Sequence, residues 1–328
     1  MGIFASAAPL SKADRFGVLT FLDWNDAWNH HMYSRKKALK AIDAIEKCGI
    51  RWVRQDFTWR RIEPEPNQYH YEELDWIVEE LNKRGISILG VLGYAPDWAA
   101  LTPEKWASPP RSVDQFQNYV QKTVARYKGK INHWEIWNEP NTPLFWEPQD
   151  NLRTYALLLR KSYAAVKAAN PQAIVLHGGL TGDVDQGVKR LYELGLKDYF
   201  DVVNLHFIID PLIPDAQWNI TGSIDVIRKT MDQFGDPTKP IWITELGCAG
   251  FARTAGDPNK PSEKDQALFL TNAFTTLTQQ NKVDKIFWAF LQDTDHHFHN
   301  NIDALGLLRQ NLTPKPAYKT YHQLLSKE

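Results

Sequence analysis

Two cysteines in 328 residues give this chain almost no capacity for covalent cross-linking. Cys48 falls at the end of an expected helix and Cys248 just past the end of an expected strand, which are opposite faces of an alternating strand–helix barrel. Their Cα atoms would then lie beyond the roughly 7 Å reach of a disulfide, so cysteine usage does not fix a redox compartment. An excess of either charge is missing too: 38 Lys and Arg stand against 39 Asp and Glu. Without a basic field to hold a polyanion, nucleic acid is not an expected partner. No apolar run approaches the roughly 20 residues that span a bilayer, so the chain is expected to be soluble and no membrane is expected as a partner. The start, Met-Gly-Ile-Phe-Ala-Ser-Ala-Ala-Pro, lacks the basic n-region and the long h-region of an intact secretory signal. A cytoplasmic protein and a secreted one whose leader has been removed are both consistent with it. Internal repeats, low-complexity tracts and linkers are absent, and oligomeric state is left open.

What the sequence has in quantity is tryptophan, 13 residues in a chain that is 12% aromatic. A side chain of that size carrying an N–H is costly to hide completely, so some of the thirteen are expected to line a cleft.

From Phe16 onward, short apolar runs alternate with amphipathic segments, the pattern of a parallel sheet covered by helices. Eight expected strands can be counted: Phe16–Leu22, Trp52–Phe57, Ser87–Tyr94, the stretch from His133, Ala173–Gly179, Asp201–Phe207, Ile241–Gly247 and Lys285–Gln292. The segments between them read as helices. Ala38, Ala41, Ile42, Ile45 and Cys48 share one face before Gly49, and Leu74, Ile77, Val78 and Leu81 recur at i, i+3, i+4, i+7 before Gly85. Eight such units predict an α/β fold, a single-domain (β/α)8 TIM barrel over residues 16–328 behind an N-terminal extension, 1–15. The longest insertions, Asp210–Trp218, Cys248–Pro261 and Asp293–Gln310, follow the last three strands and would lie on the C-terminal face, where barrels of this kind bind substrates.

Two of those strands end in a carboxylate. His133-Trp134-Glu135-Ile136-Trp137-Asn138-Glu139-Pro140-Asn141 runs apolar into Asn-Glu and is stopped by proline. About a hundred residues on, Ile241-Trp242-Ile243-Thr244-Glu245-Leu246-Gly247 has the same form. The fourth and seventh strands face each other across a barrel mouth, so Glu139 and Glu245 can meet over one bound ring, the equipment of a glycosidase. Period-2 alternation also puts Glu135 on the face of Glu139, but about 13 Å deeper at about 3.3 Å per residue. That depth favours a paired carboxylate inside the barrel.

Trp-Asn-Glu-Pro on a fourth strand with Thr-Glu-Leu-Gly on a seventh resembles clan A of the glycoside hydrolases. Trp52-Val53-Arg54 on the second strand and Phe145-Trp146 after the fourth most resemble family 39 and its bacterial exopolysaccharide-cleaving relatives, then family 5. The resemblance implies retaining hydrolysis of β-type linkages in a carbohydrate substrate, with Glu139 as acid/base, Glu245 as nucleophile and no cofactor. It further implies that Arg54 bonds the nucleophile, that Asn138 grips the sugar 2-hydroxyl, that His206 stands near the pair, and that Trp288 is the floor on which the sugar stacks. Strict alternation turns Asn138 away from Glu139, so a bulge at the strand end is expected. Clan members often carry a tyrosine two residues after the histidine; here the position is Ile208, which leaves the nucleophile's second donor unassigned. Trp24, Trp28, Trp59, Trp98, Trp146 and Trp218 fall at strand ends or in loops, and about half of them are expected to form further sugar subsites.

Two other classes compete. Asp295-His296-His297 with His299 could ligate a metal, although ligands normally come from separated, rigid positions; no metal is expected. A carbohydrate-binding barrel that has lost catalysis usually shows a replaced carboxylate, and here both are present. The sugar cleaved, and endo against exo action, have no readable code in the loops.

Overall fold

Ser34, Ser112 and Ser262 each precede a run with apolar residues at helical spacing, and each side chain accepts a hydrogen bond from the backbone N–H three residues on. These caps satisfy donors that the first helical turn leaves unpaired. In the computed structural model, which describes residues 12–24, 34–252, 260–294 and 301–326, the elements run α1 (Lys12–Arg15), β1 (Phe16–Thr20), α2 (Arg35–Cys48), β2 (Trp52–Thr58), α3 (Trp59–Ile62), α4 (Glu72–Lys83), β3 (Ser87–Gly93), α5 (Val113–Arg126), β4 (His133–Ile136), α6 (Arg153–Ala169), β5 (Ile174–His177), α7 (Val184–Glu193), β6 (Val203–Ile208), α8 (Ala216–Gln233), β7 (Ile241–Gly247), α9 (Glu263–Gln280), β8 (Lys285–Trp288) and α10 (Pro316–Ser326). All strand pairs are parallel, in the order β5-β4-β3-β2-β1-β8-β7-β6, and bridges from Leu176 to Val202 and from Leu180 to Leu205 bring β5 to β6. The result is the (β/α)8 barrel. Strands β4, β5 and β8 are shorter than expected, because beyond four residues their chains turn into the loops of the mouth.

Alternation along each strand sorts side chains into two cores. Trp52, Leu89, Leu176, Val202, Trp242 and Phe287 fill the inside of the barrel toward its N-terminal end, with Lys285 Nζ seated 4.0 Å over the Trp52 ring. The odd or even partners of these residues, such as Val53, Ile88, Ile241 and Trp288, pack outward against the helices. Burial of this aliphatic and aromatic area is the main stabilising term. It leaves the C-terminal half of the interior to polar groups.

The loops of that half are held by a buried cation. Lys315 Nζ, 1% exposed, donates to Asp293 Oδ1 at 2.7 Å, Gly250 O at 2.9 Å and Ala304 O at 3.0 Å, joining the ends of β7 and β8 to residues 301–306. Lys315→Met would leave Asp293 without its cation, and breaking one side of a buried pair costs about 3–5 kcal/mol. Urea unfolding should show a lower midpoint with an unchanged slope; an unchanged midpoint would mean that the clasp holds nothing.

Both cysteines are free and buried, Cys48 at the foot of α2 and Cys248 beyond β7. No helix among the described residues is long and apolar enough to cross a membrane.

Candidate active site

Arg54 follows the inward-facing Trp52 by two residues on β2, so its guanidinium is inside the barrel, 2% exposed. A cation in that position requires anionic partners, and it has two. Nε and Nη2 donate to Glu135 at 2.7 and 2.9 Å in a bidentate fork, while Nη1 donates to Glu245 Oε1 at 2.6 Å. Nη2 also reaches Asn138 Oδ1 at 2.7 Å. Glu135 is thus the paired interior carboxylate that its depth suggested, and Gly179 N donates to its Oε1 at 3.0 Å.

Two local departures from a regular strand bring the other groups in. On β4, Trp137 has φ +69° and Glu139 φ +42°, so the chain leaves extended geometry after Ile136. Trp137 swings out to donate to Phe145 O at 2.8 Å, while Asn138 and Glu139 both turn into the mouth. Left-handed backbone, not the expected bulge, is what delivers Asn138. On β7, Ile243 pairs with Leu205 but Glu245 pairs with His206, so Thr244 is an extra residue. This bulge allows Thr244 and Glu245 both to face the interior, where strict alternation would turn Glu245 outward. Gly179 is required nearby: a Cβ there would lie 1.9 Å from His206 Nε2.

A hydrogen-bond chain then sets protonation. His177 Nδ1 lies 2.8 Å from Gly178 O, and its Nε2 accepts from Asn204 N at 3.0 Å. Asn204 Nδ2 donates to His177 O at 3.1 Å, orienting the amide so that Oδ1 accepts the Thr244 hydroxyl at 2.7 Å. Having spent its one proton, Thr244 Oγ1 accepts from His206 Nε2 at 2.9 Å. Burial, with Arg54 nearby, holds the His206 pKa well below its ordinary range, so the ring is neutral and Nδ1 carries no proton. Glu139 Oε1, 2.9 Å away, must therefore donate. Independently, burial and then the Glu245 charge push the Glu139 carboxyl well above its usual range. Burial pushes Glu245 up as well, to about 7, with the Arg54 contact opposing the rise. Of the two, the one touching a cation is the one that ionises first.

One oxygen each of Glu139 and Glu245 and a nitrogen of His206 lie within 4.8 Å of one another. Among the described residues this trio has the spacing of a metal site, but the Arg54 contact on Glu245 opposes a further cation there. Asp295, His296, His297 and His299, the loop considered for metal, lie outside the described residues, as does Trp28.

The mouth opens into a cleft of about 240 Å³, the size of a small ligand rather than of a single water. Arg54, Asn138, Glu139, Glu245 and Ile208 line it; His206 supports it from below. Three expected subsite residues do not. Trp288 is completely buried on the outer face of β8, against Phe269 and Phe274 of α9, with Nε1 donating to Leu305 O at 2.9 Å. Because Phe287 faces inward, alternation turns its neighbour outward, and Phe290 supplies aromatic surface to the cleft in its place. Trp98 is an anchor for its loop, bonded to Glu63 O at 3.0 Å and packed edge-on to Trp59. Trp146 is wedged between Trp137 and Tyr155. Trp59 is stacked on Tyr119 in the core and Trp218 is half exposed away from the cleft, so of the described loop tryptophans considered, Trp24 alone lines it. Sequence reading passed over Trp106, Tyr94 and Asp56, which do line it; Asp56 was findable, since it stands two residues beyond Arg54 on the same face.

A family model described as "Glycosyl hydrolase catalytic core" matches residues 136–321, and one described as "Beta-galactosidase" matches residues 27–107. The chain is similar to an endo-1,4-beta-xylanase B of Paenibacillus barcinonensis, 23% identical over 254 residues, covering 71% of this chain and 69% of the relative. It is 23% identical over 291 residues to an endo-1,4-beta-xylanase B of Thermotoga neapolitana, covering 82% and 78%. Among solved structures, a family 39 glycoside hydrolase from Bacteroides cellulosilyticus superposes with a TM-score of 0.75 at 21% identity, over 96% of this chain but 64% of that one. At that identity the likeness carries the fold.

Proposed function

Because this chain belongs to the glycosyl hydrolase catalytic core family, and is a β-glycoside hydrolase, we propose that it works with retention of anomeric configuration, Glu245 being the nucleophile and Glu139 the acid/base. The observation that carries the reading is the approach of the two carboxyls to within 4.8 Å. Retaining enzymes need roughly 5–5.5 Å between these groups, whereas inverting ones leave roughly 6.5–9.5 Å for a water between them. Glu245, held by Arg54, attacks the anomeric carbon while Glu139 passes its proton to the departing oxygen. The same Glu139, now a carboxylate, takes a proton from the water that releases the sugar. Asn138, with its Oδ1 already accepting from Arg54, keeps its amide N–H groups for the sugar 2-hydroxyl. The catalytic unit on this reading is the barrel, residues 16–328.

The substrate is a β-linked oligo- or polysaccharide. Relatives named as endo-xylanases, and others named as β-galactosidase, phospho-β-glucosidase and mannosidase, support a β-linkage and spread over several sugars. Proton NMR of the first sugar released from an aryl β-glycoside tests the mechanism: the β-anomer should appear before mutarotation. Initial release of the α-anomer would mean inversion and would remove Glu245 from the nucleophile's role.

A further inference from the structure

Asp56 stands apart from every other acid around the cleft. It is 8% exposed, lines the cavity, and among the described residues has no hydrogen-bond or ion-pair partner for its carboxyl. The guanidinium groups of the same cavity are already matched. Arg54 is held by Glu135 and Glu245, Arg60 lies 3.0 Å from Asp97, and Arg61 lies 3.2 Å from Asp23. Tyr94, also 8% exposed and lining the cavity, likewise has no hydrogen bond to its hydroxyl among the described residues. Holding a carboxyl mostly out of bulk water with no protein donor is costly, and burial raises the Asp56 pKa to about 7. Because Asp56 lines the cavity, a ligand seated there can supply the donors that the protein does not.

Its place in the strand says which ligand atoms. Two residues beyond Arg54, Asp56 stands about 7 Å nearer the mouth, and Arg54 Nη1 is itself 2.6 Å from Glu245. That interval is about the width of one pyranose ring with its hydroxyls. Resting on the glycosidase reading above, we infer that Asp56, with the Tyr94 hydroxyl, binds ring hydroxyls of the sugar seated over Glu245, and that this selects a neutral glycone over a uronic acid. Sugar hydroxyls give a carboxylate the donors it lacks. A uronate would set a second anion against Asp56, in a cavity whose cations already have acidic partners.

The test is a panel of 4-nitrophenyl β-glycosides, neutral sugars and the glucuronide, with wild type, Asp56→Ala and the near-isosteric Asp56→Asn. Wild type should prefer a neutral sugar. Asp56→Ala should lose on the order of 100-fold in kcat/KM on it, the scale of lost hydrogen bonds to a charged group. Asp56→Asn should raise the glucuronide-to-glucoside ratio about tenfold or more. A wild-type preference for the uronide overturns the inference. So does an equal loss on every glycone, which is what a merely structural Asp56 would give, or unchanged ranking in Asp56→Asn. Failure of the glycosidase reading looks different: no wild-type release of nitrophenol from any member of the panel. Titration calorimetry with the same glycosides then still decides, since binding must weaken in Asp56→Asn if the inference holds and be unaffected if it does not.

Discussion

Glu245→Ala should abolish turnover almost completely, with kcat falling roughly 10⁴–10⁶-fold, the scale on which other enzymes suffer when a covalent nucleophile or its activating partner is removed. The loss should appear with every leaving group, because without this carboxylate neither a natural nor an activated glycoside can form the covalent intermediate. The fold should survive. Arg54 keeps its bidentate contact with Glu135 and its bond to Asn138, so the buried cation is not left alone, and no packed apolar group is removed. Circular dichroism and the melting temperature should therefore stay near wild type while initial rates collapse. Residual activity within tenfold of wild type would assign the nucleophile elsewhere.

How far such a site can be read beforehand depends on whether one residue or a backbone irregularity carries it. Strand-end glutamates followed by proline or glycine announce themselves, and so does Arg54, whose strand has no other use for a guanidinium. The frame of eight strands follows from hydrophobic spacing, because each helix must bury one face and each strand two. Strand alternation, by contrast, misjudges two positions. Glu245 faces inward because of a bulge at Thr244, and Asn138 because Trp137 and Glu139 adopt left-handed backbone; neither departure has a glycine or other local signal. Trp288 fails for a different reason. In Lys285-Ile286-Phe287-Trp288 the last three residues are apolar, so the run gives no sign of which face is inner until Phe287 is seen against Trp52 and Trp242. Position in a loop does not make a tryptophan a subsite, because an indole that bonds a backbone carbonyl, as Trp98 does, is as well suited to pinning a loop as to holding a sugar. Asp56 lay in plain sight, since it needed only the parity of Arg54.

Glu139→Ala should separate the two halves of the reaction. Removal of a general acid costs roughly 10²–10⁴-fold where the leaving group needs its proton, so kcat/KM on an oligosaccharide should fall by that factor. With 2,4-dinitrophenyl as leaving group, the oxygen departs as a stable anion, and kcat/KM should stay within about tenfold of wild type. Turnover of the same substrate should nevertheless slow, since Glu139 also activates the water of the second step. The glycosyl-enzyme then accumulates, KM falls, and added azide, which needs no base, should restore kcat and give a β-glycosyl azide. The pH profile should change in step. In the wild type the Glu139 proton, shared with His206 Nδ1 and held there by burial and the neighbouring anion, is lost as pH rises, and the alkaline limb of kcat/KM records that loss. In the alanine variant no such proton exists, and for the dinitrophenyl substrate that limb should flatten. The acid limb, set by Glu245 with its carboxyl pushed up to about 7, should remain, since protonating the nucleophile stops either protein. Its midpoint should stay near that of the wild type, because Glu139 is still protonated and uncharged over the range in which Glu245 ionises, so its removal takes away no charge that acts on Glu245. Equal losses on both substrates, or no azide adduct, would sink the assignment of Glu139 as acid/base while leaving Glu245 standing.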